Sequence, residues 1–307
     1  MNIIDAALIA TLIGASTPIL LAAIGELVVE KSGVLNLGVE GMMIVGAIAG
    51  FIACVTTGSP ALGFVMGAVG GAALSVIFAV LTQYFLSNQV ATGLALTLFG
   101  LGISSLMGES YTGINPPITP KLFPEAMRDI PWAGPILFGH DLVVYLSVAL
   151  VAAVAYTLAR TRLGLIIRAV GESHDAAHAL GYKVVRIRFL CILFGGACAG
   201  VGGAYLSLVR VPSWTEGMTA GAGWIALALV VFASWKPWRA LLGAYLFGGI
   251  AALQLRLQAQ EVAVPVALLD ASPYLVTIIV LVIISSDRGR AALNAPAALG
   301  KVFHASS

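Results

Sequence analysis

Charged side chains are scarce in this 307-residue chain: Asp, Glu, Lys and Arg together make up 10% of it, where a soluble domain carries about 25%. With 60% hydrophobic residues and a mean hydropathy of +1.01, that shortage excludes an ordinary water-soluble fold and places the chain in a bilayer. The formal net charge of +2 is uninformative as a total, its distribution carrying the signal, and no nucleic-acid partner is expected. Cysteine is nearly absent. Cys54, Cys191 and Cys198 all lie in apolar runs, so they read as small buried hydrophobes and not as a disulfide framework or a metal site. No Lys or Arg precedes Lys31, so a cleaved signal peptide, which needs a basic leading region, is not expected. No Gly-x-x-x-x-Gly-Lys-Ser/Thr occurs, so the chain has no phosphate-cradling loop of its own for ATP. No series of acids and histidines runs through the apolar segments, which leaves no proton relay to read.

What is present is a succession of apolar runs. Spanning takes about 20 apolar residues per helix. Nine stretches qualify, at 3–24, 39–56, 61–85, 91–108, 141–159, 189–209, 219–235, 240–257 and 272–286. The expected fold is therefore all-α, one polytopic transmembrane domain over residues 1–307. Six of the sixteen Lys and Arg residues fall in one polar stretch, 160–188, which marks a cytoplasmic loop because basic residues are retained on that side. Alternation then puts the N-terminus outside and the C-terminus inside. Twelve basic residues collect in cytoplasmic segments, against Lys121, Arg128 and Arg210 outside. Arg256 is expected to snorkel outward from the eighth span.

Several polar islands interrupt the runs. Residues 25–43, GELVVEKSGVLNLGVEGMM, are too polar for a plain helix and too apolar for a free loop. Non-helical backbone at membrane depth survives only when buried in protein or lining an aqueous cavity; a surface turn is the plainer alternative. Asn36 and Glu40 there, with Asn88, Gln89 and Gln254, are the candidate pathway residues. Asn88 and Gln89 fit a solvated turn as well as a cavity wall. Residues 109–140 form the longest external loop and carry six prolines, which predicts a stiff, non-helical segment suited to capping the mouth or receiving a delivery protein. Gly63, Gly67 and Gly71, and Gly195, Ala199 and Gly203 with Gly196 and Gly200 beside them, form small faces that let helices touch closely in lipid. Glu40-Gly41-Met42 recurs as Glu216-Gly217-Met218, each expected to open a span from opposite sides. An inverted repeat of spans two to four and seven to nine is expected from it, with chance recurrence of a tripeptide the plainer alternative.

Within the basic loop, Glu172 to Leu180 is expected to form a short helix of small and polar residues, ended by Gly181 in the left-handed conformation. His174-Asp175-Ala176-Ala177-His178 imitates a zinc-protease helix. The acid, however, is one methylene short and no third ligand is apparent, so both histidines are placed on the exposed side of the helix.

Asp175-Ala176-Ala177-x-x-x-Gly181 resembles the EAA-type coupling loop of ABC-transporter permeases, with Asp175 where Glu is usual. With 25–43, NQVATGLAL (88–96), DAAHALGYKVVRIRF (175–189) and MTAGAGWIALALVVFASWKPW (218–238), nearly the whole chain resembles the permease family of the branched-chain amino acid and simple-sugar ABC importers, most closely its nucleoside-type subgroup. The resemblance implies a type II importer core in a bacterial plasma (inner) membrane. It implies a second, homologous permease subunit, separate ATP-binding cassettes that carry ATP and Mg, and an external lipoprotein that delivers the solute. Glu172, Asp175, Ala176, Ala177 and Gly181 take the positions that couple to the ATPase. No cofactor is expected on this chain and no enzymatic activity of its own. A nucleoside is the expected solute, and a simple sugar or branched-chain amino acid the alternative within the class. A stand-alone secondary transporter is the alternative outside it, and a membrane metalloenzyme would need metal held by His174 and His178.

Overall fold

The computed structural model describes residues 5–259 and 294–304, with positions 271, 272, 275, 278, 279 and 282. Among them the regular structure is helical, apart from an antiparallel bridge between Lys121 and Asp141. Helix α1 (Ala6–Lys31) starts on Asp5, whose carboxylate accepts the Leu8 amide at 2.9 Å, and runs unbroken through Pro18. Helices α2 (Val39–Thr57) and α3 (Pro60–Gln83) form a hairpin on the left-handed Gly58. Pro60 sits in the first turn of α3, where its missing N–H costs nothing. Helix α4 (Gln89–Gly108) is capped by Asn88. The short α5 (Glu125–Arg128) lies in the following loop, and α6 (Leu142–Arg160), α7 (Arg162–Glu172) and α8 (His174–Ala179) lead to α9 (Val184–Tyr205), which a π-helical turn prolongs to Arg210. Helices α10 (Ala222–Phe232) and α11 (Pro237–Ala259) complete the described bundle.

Among the described residues seven helices are long and apolar enough to cross a bilayer: α1, α2, α3, α4, α6, α9 and α11. The nine unbroken crossings expected from the sequence are not found among the described residues. The run at 219–235 contains only α10, whose 11 residues reach about 16 Å of a hydrocarbon core about 30 Å thick. Residues 211–221 before it are non-helical, with left-handed backbone at Gly217, Ala220 and Gly221. The expected crossing at 272–286 falls mainly outside the described residues.

The centre is built on glycine. A Cβ on Gly46 would meet the Gly200 backbone, one on Gly71 the Gly196 and Gly200 backbones, and one on Gly203 the Met43 carbonyl. Helices α2, α3 and α9 thus touch main chain to main chain, as the small-residue faces predict, which favours dispersion where lipid gives no hydrophobic drive. On the other side of α9, α1 approaches as closely: a Cβ on Gly25 would lie 2.9 Å from the Gly195 carbonyl. Leu20, Ile24, Leu27, Met42 and Met43 fill the space between, and all three cysteines are free and buried.

Side-chain and main-chain bonds sort the connections into two ends. At one end, the turn after α1 meets the start of α4 (Leu35 amide to Gln89 Oε1, 2.8 Å), α9 (Arg188 Nε to the Ser32 carbonyl, 3.1 Å) and the 294–304 segment (Gly300 amide to the Gly33 carbonyl, 3.1 Å). That segment also holds the end of α7, through the Ala298 amide on the Gly171 carbonyl at 2.8 Å. At the other end, Asp5 pairs with Arg256 through two bonds of 2.6 and 2.7 Å. Arg256 therefore closes onto the cap of α1 and does not simply reach outward. This is the partition that alternation of loops predicts. The 109–140 loop is more structured than its prolines suggest. Pro124 and Pro135 start helical turns, and Phe123 stacks edge-on against Phe138 and Tyr145 at 5.1 and 5.5 Å. His140 is buried there, which holds its imidazole below its ordinary pKa.

Candidate functional site

Residues 32–38 break the passage from α1 to α2, and Ser32, Val34 and Asn36 within them are fully buried. The backbone groups such a break releases must find partners inside the protein. Asn36 and Glu26 hold two of them. The Asn36 amide and Nδ2 donate to the two oxygens of Glu26 at 3.2 and 3.3 Å, and its Oδ1 accepts the Gly38 amide at 3.0 Å, which starts α2. Gln89 accepts from Leu35, and Thr97 Oγ1 donates to the Leu37 carbonyl at 3.2 Å. Gly33, at φ +87°, allows the turn, and a Cβ there would also press on the Arg188 guanidinium at 2.8 Å. Residues 25–31 and 39–43 are helical, so only 32–38 of the expected 25–43 break leaves the helix; that part is buried in protein and is not a surface turn.

Glu40 reaches from the first turn of α2 to the start of α10. Its Oε1 accepts from Thr219 Oγ1 at 2.5 Å and from the Gly221 amide at 3.0 Å; its Oε2 accepts from the Gly223 amide at 2.7 Å. One carboxylate thus lies at the N-termini of two helices, where both macrodipoles favour negative charge. The far end of α10 is held as well, because Trp235 Nε1 donates to Glu30 of α1 at 2.5 Å. Thr219, Glu30 and Trp235 were not among the expected site residues. No local pattern marks them, since their partners lie more than 170 residues away in sequence.

The other candidates divide. Asn88 is an exposed cap of α4, while Gln89 is 3% exposed and its Nε2 meets no acceptor among the described residues. Gln254 lies near the opposite end, two residues before Arg256 in α11. Glu216 does not open a helix as Glu40 does. It lies in the non-helical 211–221 segment and accepts from Ser105 Oγ at 2.8 Å. Together with Glu109, Thr112 and Trp214 these two residues line an open cavity of about 800 Å³ between the C-terminal half of α4 and that segment. From the cavity, the 211–221 segment runs inward to Glu40.

At the other end, Glu172 is the last residue of α7 and not the first of the short helix expected at 172–180. Ser173 is extended, and its hydroxyl accepts the Ala176 amide at 3.2 Å to start α8. Gly181, at φ +88°, closes α8, and its amide donates to the His178 carbonyl at 2.8 Å. Asp175, Ala176 and Gly181 are exposed, whereas Ala177 packs inward at 2% exposure. His174 overturns the expectation of an exposed histidine pair. It is buried, and its Nδ1 lies 3.2 Å from Arg188 Nη2. Burial first, and then the Arg188 charge, hold its imidazole below its ordinary pKa. The ring is therefore neutral at pH 7, accepting at Nδ1 and presenting Nε2–H to Asp175 Oδ1 at 3.5 Å. His174 and His178 each stack on Phe303 at 5.3 Å, so the i, i+4 pair forms an aromatic clasp.

The family described as the permease component of the branched-chain amino acid transport system matches residues 8–293. The chain is similar to a putative glucose ABC transporter permease protein of Haloferax volcanii, with 45% identity over 84% of this chain and 80% of that one. It is similar to a nucleoside ABC transporter permease protein of Lactococcus lactis (31%, covering 92% and 93%) and to a guanosine ABC transporter permease protein of Bacillus subtilis (32%, covering 89% of each). A multi-pass helical bundle with a buried break, matched along almost its whole length, belongs to this family of ABC-transporter permeases.

Proposed function

We propose that the chain is a permease subunit of an ATP-driven importer for a neutral, hydrogen-bonding solute, a nucleoside. A separate cassette subunit carries ATP and Mg, a second permease subunit completes the path, and an external lipoprotein delivers the solute. The carrying observation is the connection between two features: an exposed knob of Asp175, Ala176 and Gly181, and a buried break at 32–38, joined by Arg188. A cassette closing on ATP moves the knob, and the break moves with it. The stand-alone transporter loses its ground, because the family is one of ABC permeases.

The solute path runs from the outer cavity along 211–221 to Glu40, Asn36 and Gln89. The Gln89 Nε2, which meets no acceptor among the described residues, supports a hydrogen-bonding solute. A nucleoside needs donors and acceptors for its base and ribose, and no counter-ion. The two nucleoside-type relatives support the same solute class. The 45% identical relative favours a second reading, a simple sugar. The partition of basic residues supports a plasma-membrane location with the C-terminus in the cytoplasm. Glu40 meeting the start of α10 supports an inverted-repeat core whose halves join at that point.

The test is uptake by the complete complex in proteoliposomes, with radiolabelled guanosine, glucose or leucine and the other two as competitors. ATP-dependent guanosine uptake is the expected result. Glucose uptake alone moves the assignment to sugars, and uptake without ATP, driven by a gradient, overturns it.

A further inference from the structure

Arg188 is fully buried at the start of α9, yet among the described residues none of its hydrogen bonds goes to a carboxylate. Its Nε donates to the Ser32 carbonyl at 3.1 Å, its Nη1 to the Lys301 carbonyl at 3.1 Å, and its Nη2 to His174 Nδ1 at 3.2 Å. A buried cation satisfied only by neutral acceptors is a poor way to gain stability, since an apolar side chain of similar volume would avoid the desolvation cost. Its three partners belong to three different pieces of chain. Ser32 begins the buried break, His174 begins α8, and Lys301 belongs to the 294–304 strap.

The planar fork fixes the distances among those pieces, which a lysine's single ammonium group cannot do. The surroundings leave little slack. Gly171 packs against the Lys31 carbonyl closely enough to exclude a Cβ, and Gly33 lies under the guanidinium. The strap adds two ties, from Ala298 to Gly171 and from Gly300 to Gly33. Phe303, between the two histidine rings, holds the strap onto α8. A displacement of α8 is therefore carried to Ser32 through one rigid group, and from Ser32 to the segment that Asn36 and Glu26 hold.

We propose that Arg188 is the positioning residue that transmits movement of α8 to the 32–38 break, with the 298–303 strap bracing it. The inference rests on the coupling role given to α8 above. It deepens that reading by naming the route.

The experiment compares hydrogen–deuterium exchange in the complete complex in nanodiscs, with and without ATP plus vanadate. In the unaltered complex, peptides covering 174–181 and peptides covering 32–38 are both expected to change on nucleotide trapping. In Arg188→Lys, the change at 174–181 persists and the change at 32–38 is lost, while ATP hydrolysed per guanosine imported rises. A purely structural arginine would alter exchange equally with and without nucleotide. If Arg188→Lys fails to assemble, Phe303→Ala decides: it leaves the guanidinium in place, loosens the strap, and should weaken the response at 32–38 selectively. A response at 32–38 equal to that of the unaltered complex in the assembled variant overturns the inference while leaving the coupling role of α8 standing. No response at 174–181 in the unaltered complex removes that role, and the inference with it.

Discussion

The glycine-packed block of α2, α3 and α9 and the broken segments at 32–38 and 211–221 answer one problem in opposite ways. Both must hold chain against chain where lipid offers no hydrophobic drive. The block does so by removing side chains, so that backbones meet. The broken segments do so by adding polar side chains, so that Glu26, Asn36, Gln89 and Glu40 hold backbone that no helix satisfies. A backbone contact has no alternative arrangement; shifting it produces a clash. A hydrogen bond can exchange one acceptor for another. The comparison assigns rigidity to the block and movement to the two breaks.

The harshest way to break that comparison is Gly200→Val. The atoms facing the new side chain are backbone of Gly67 and Gly71, which cannot turn aside. The cost should reach or pass the upper end of about 1–3 kcal/mol typical of overpacking. The expected outcome is no monodisperse protein after detergent extraction. A folded Gly200→Val with unchanged thermal stability would show that the block yields after all.

Next in size is Glu40→Ala. It strips the acceptor from Thr219, Gly221 and Gly223, and a buried donor left without a partner costs about 1–3 kcal/mol. The bundle should survive, with a lower unfolding temperature and no uptake. Glu40→Gln, which keeps one oxygen acceptor, should fall between.

Gly181→Trp should sharpen the contrast further. Nothing lies within 4 Å of the position of its Cβ. The fold should bear only the left-handed backbone, about 1–2 kcal/mol for a residue with a side chain. Uptake should fall while ATP hydrolysis continues, and undiminished uptake would count heavily against docking at α8.

The smallest effect concerns pH. His174 is held below its ordinary value of 6.5, chiefly by burial and then by Arg188, with Lys301 acting the same way and Asp175 opposing. A depressed pKa stabilises the native state at pH above the unfolded value. That contribution is lost as pH falls from 6.5 through the native value. The unfolding temperature of the complex should drop over that range, and His174→Gln should flatten the profile.

What could be read in the sequence follows the range of the forces involved. The glycine faces were legible because i, i+4 spacing is local. The break at 32–38 was legible because acids, an asparagine and glycines crowd into an apolar run. Half-length α10 was not, because the apolar run from 222 to 235 reads as part of a full span, and what holds its ends are Glu40 and Glu30, far away in sequence. Of the two Glu-Gly-Met tripeptides only Glu40 opens a helix; Glu216 turns to Ser105, a partner its own neighbours do not announce. His174 was placed outward because its helix looked solvated, and only Arg188 and Phe303 draw it in. Glu172 was joined to the docking helix because nothing in its own type announces the extended Ser173 that follows.

Helix α10 hangs between Glu40, which belongs to α2, and Glu30, which belongs to α1. The two anchors sit on separate helices, and a hydrogen bond tolerates only about 0.5 Å of stretch before it weakens sharply. Sliding of α1 past α2 beyond that slack makes α10 release one carboxylate or the other. The helix therefore acts as a tie rod, keeping α1 and α2 in one register.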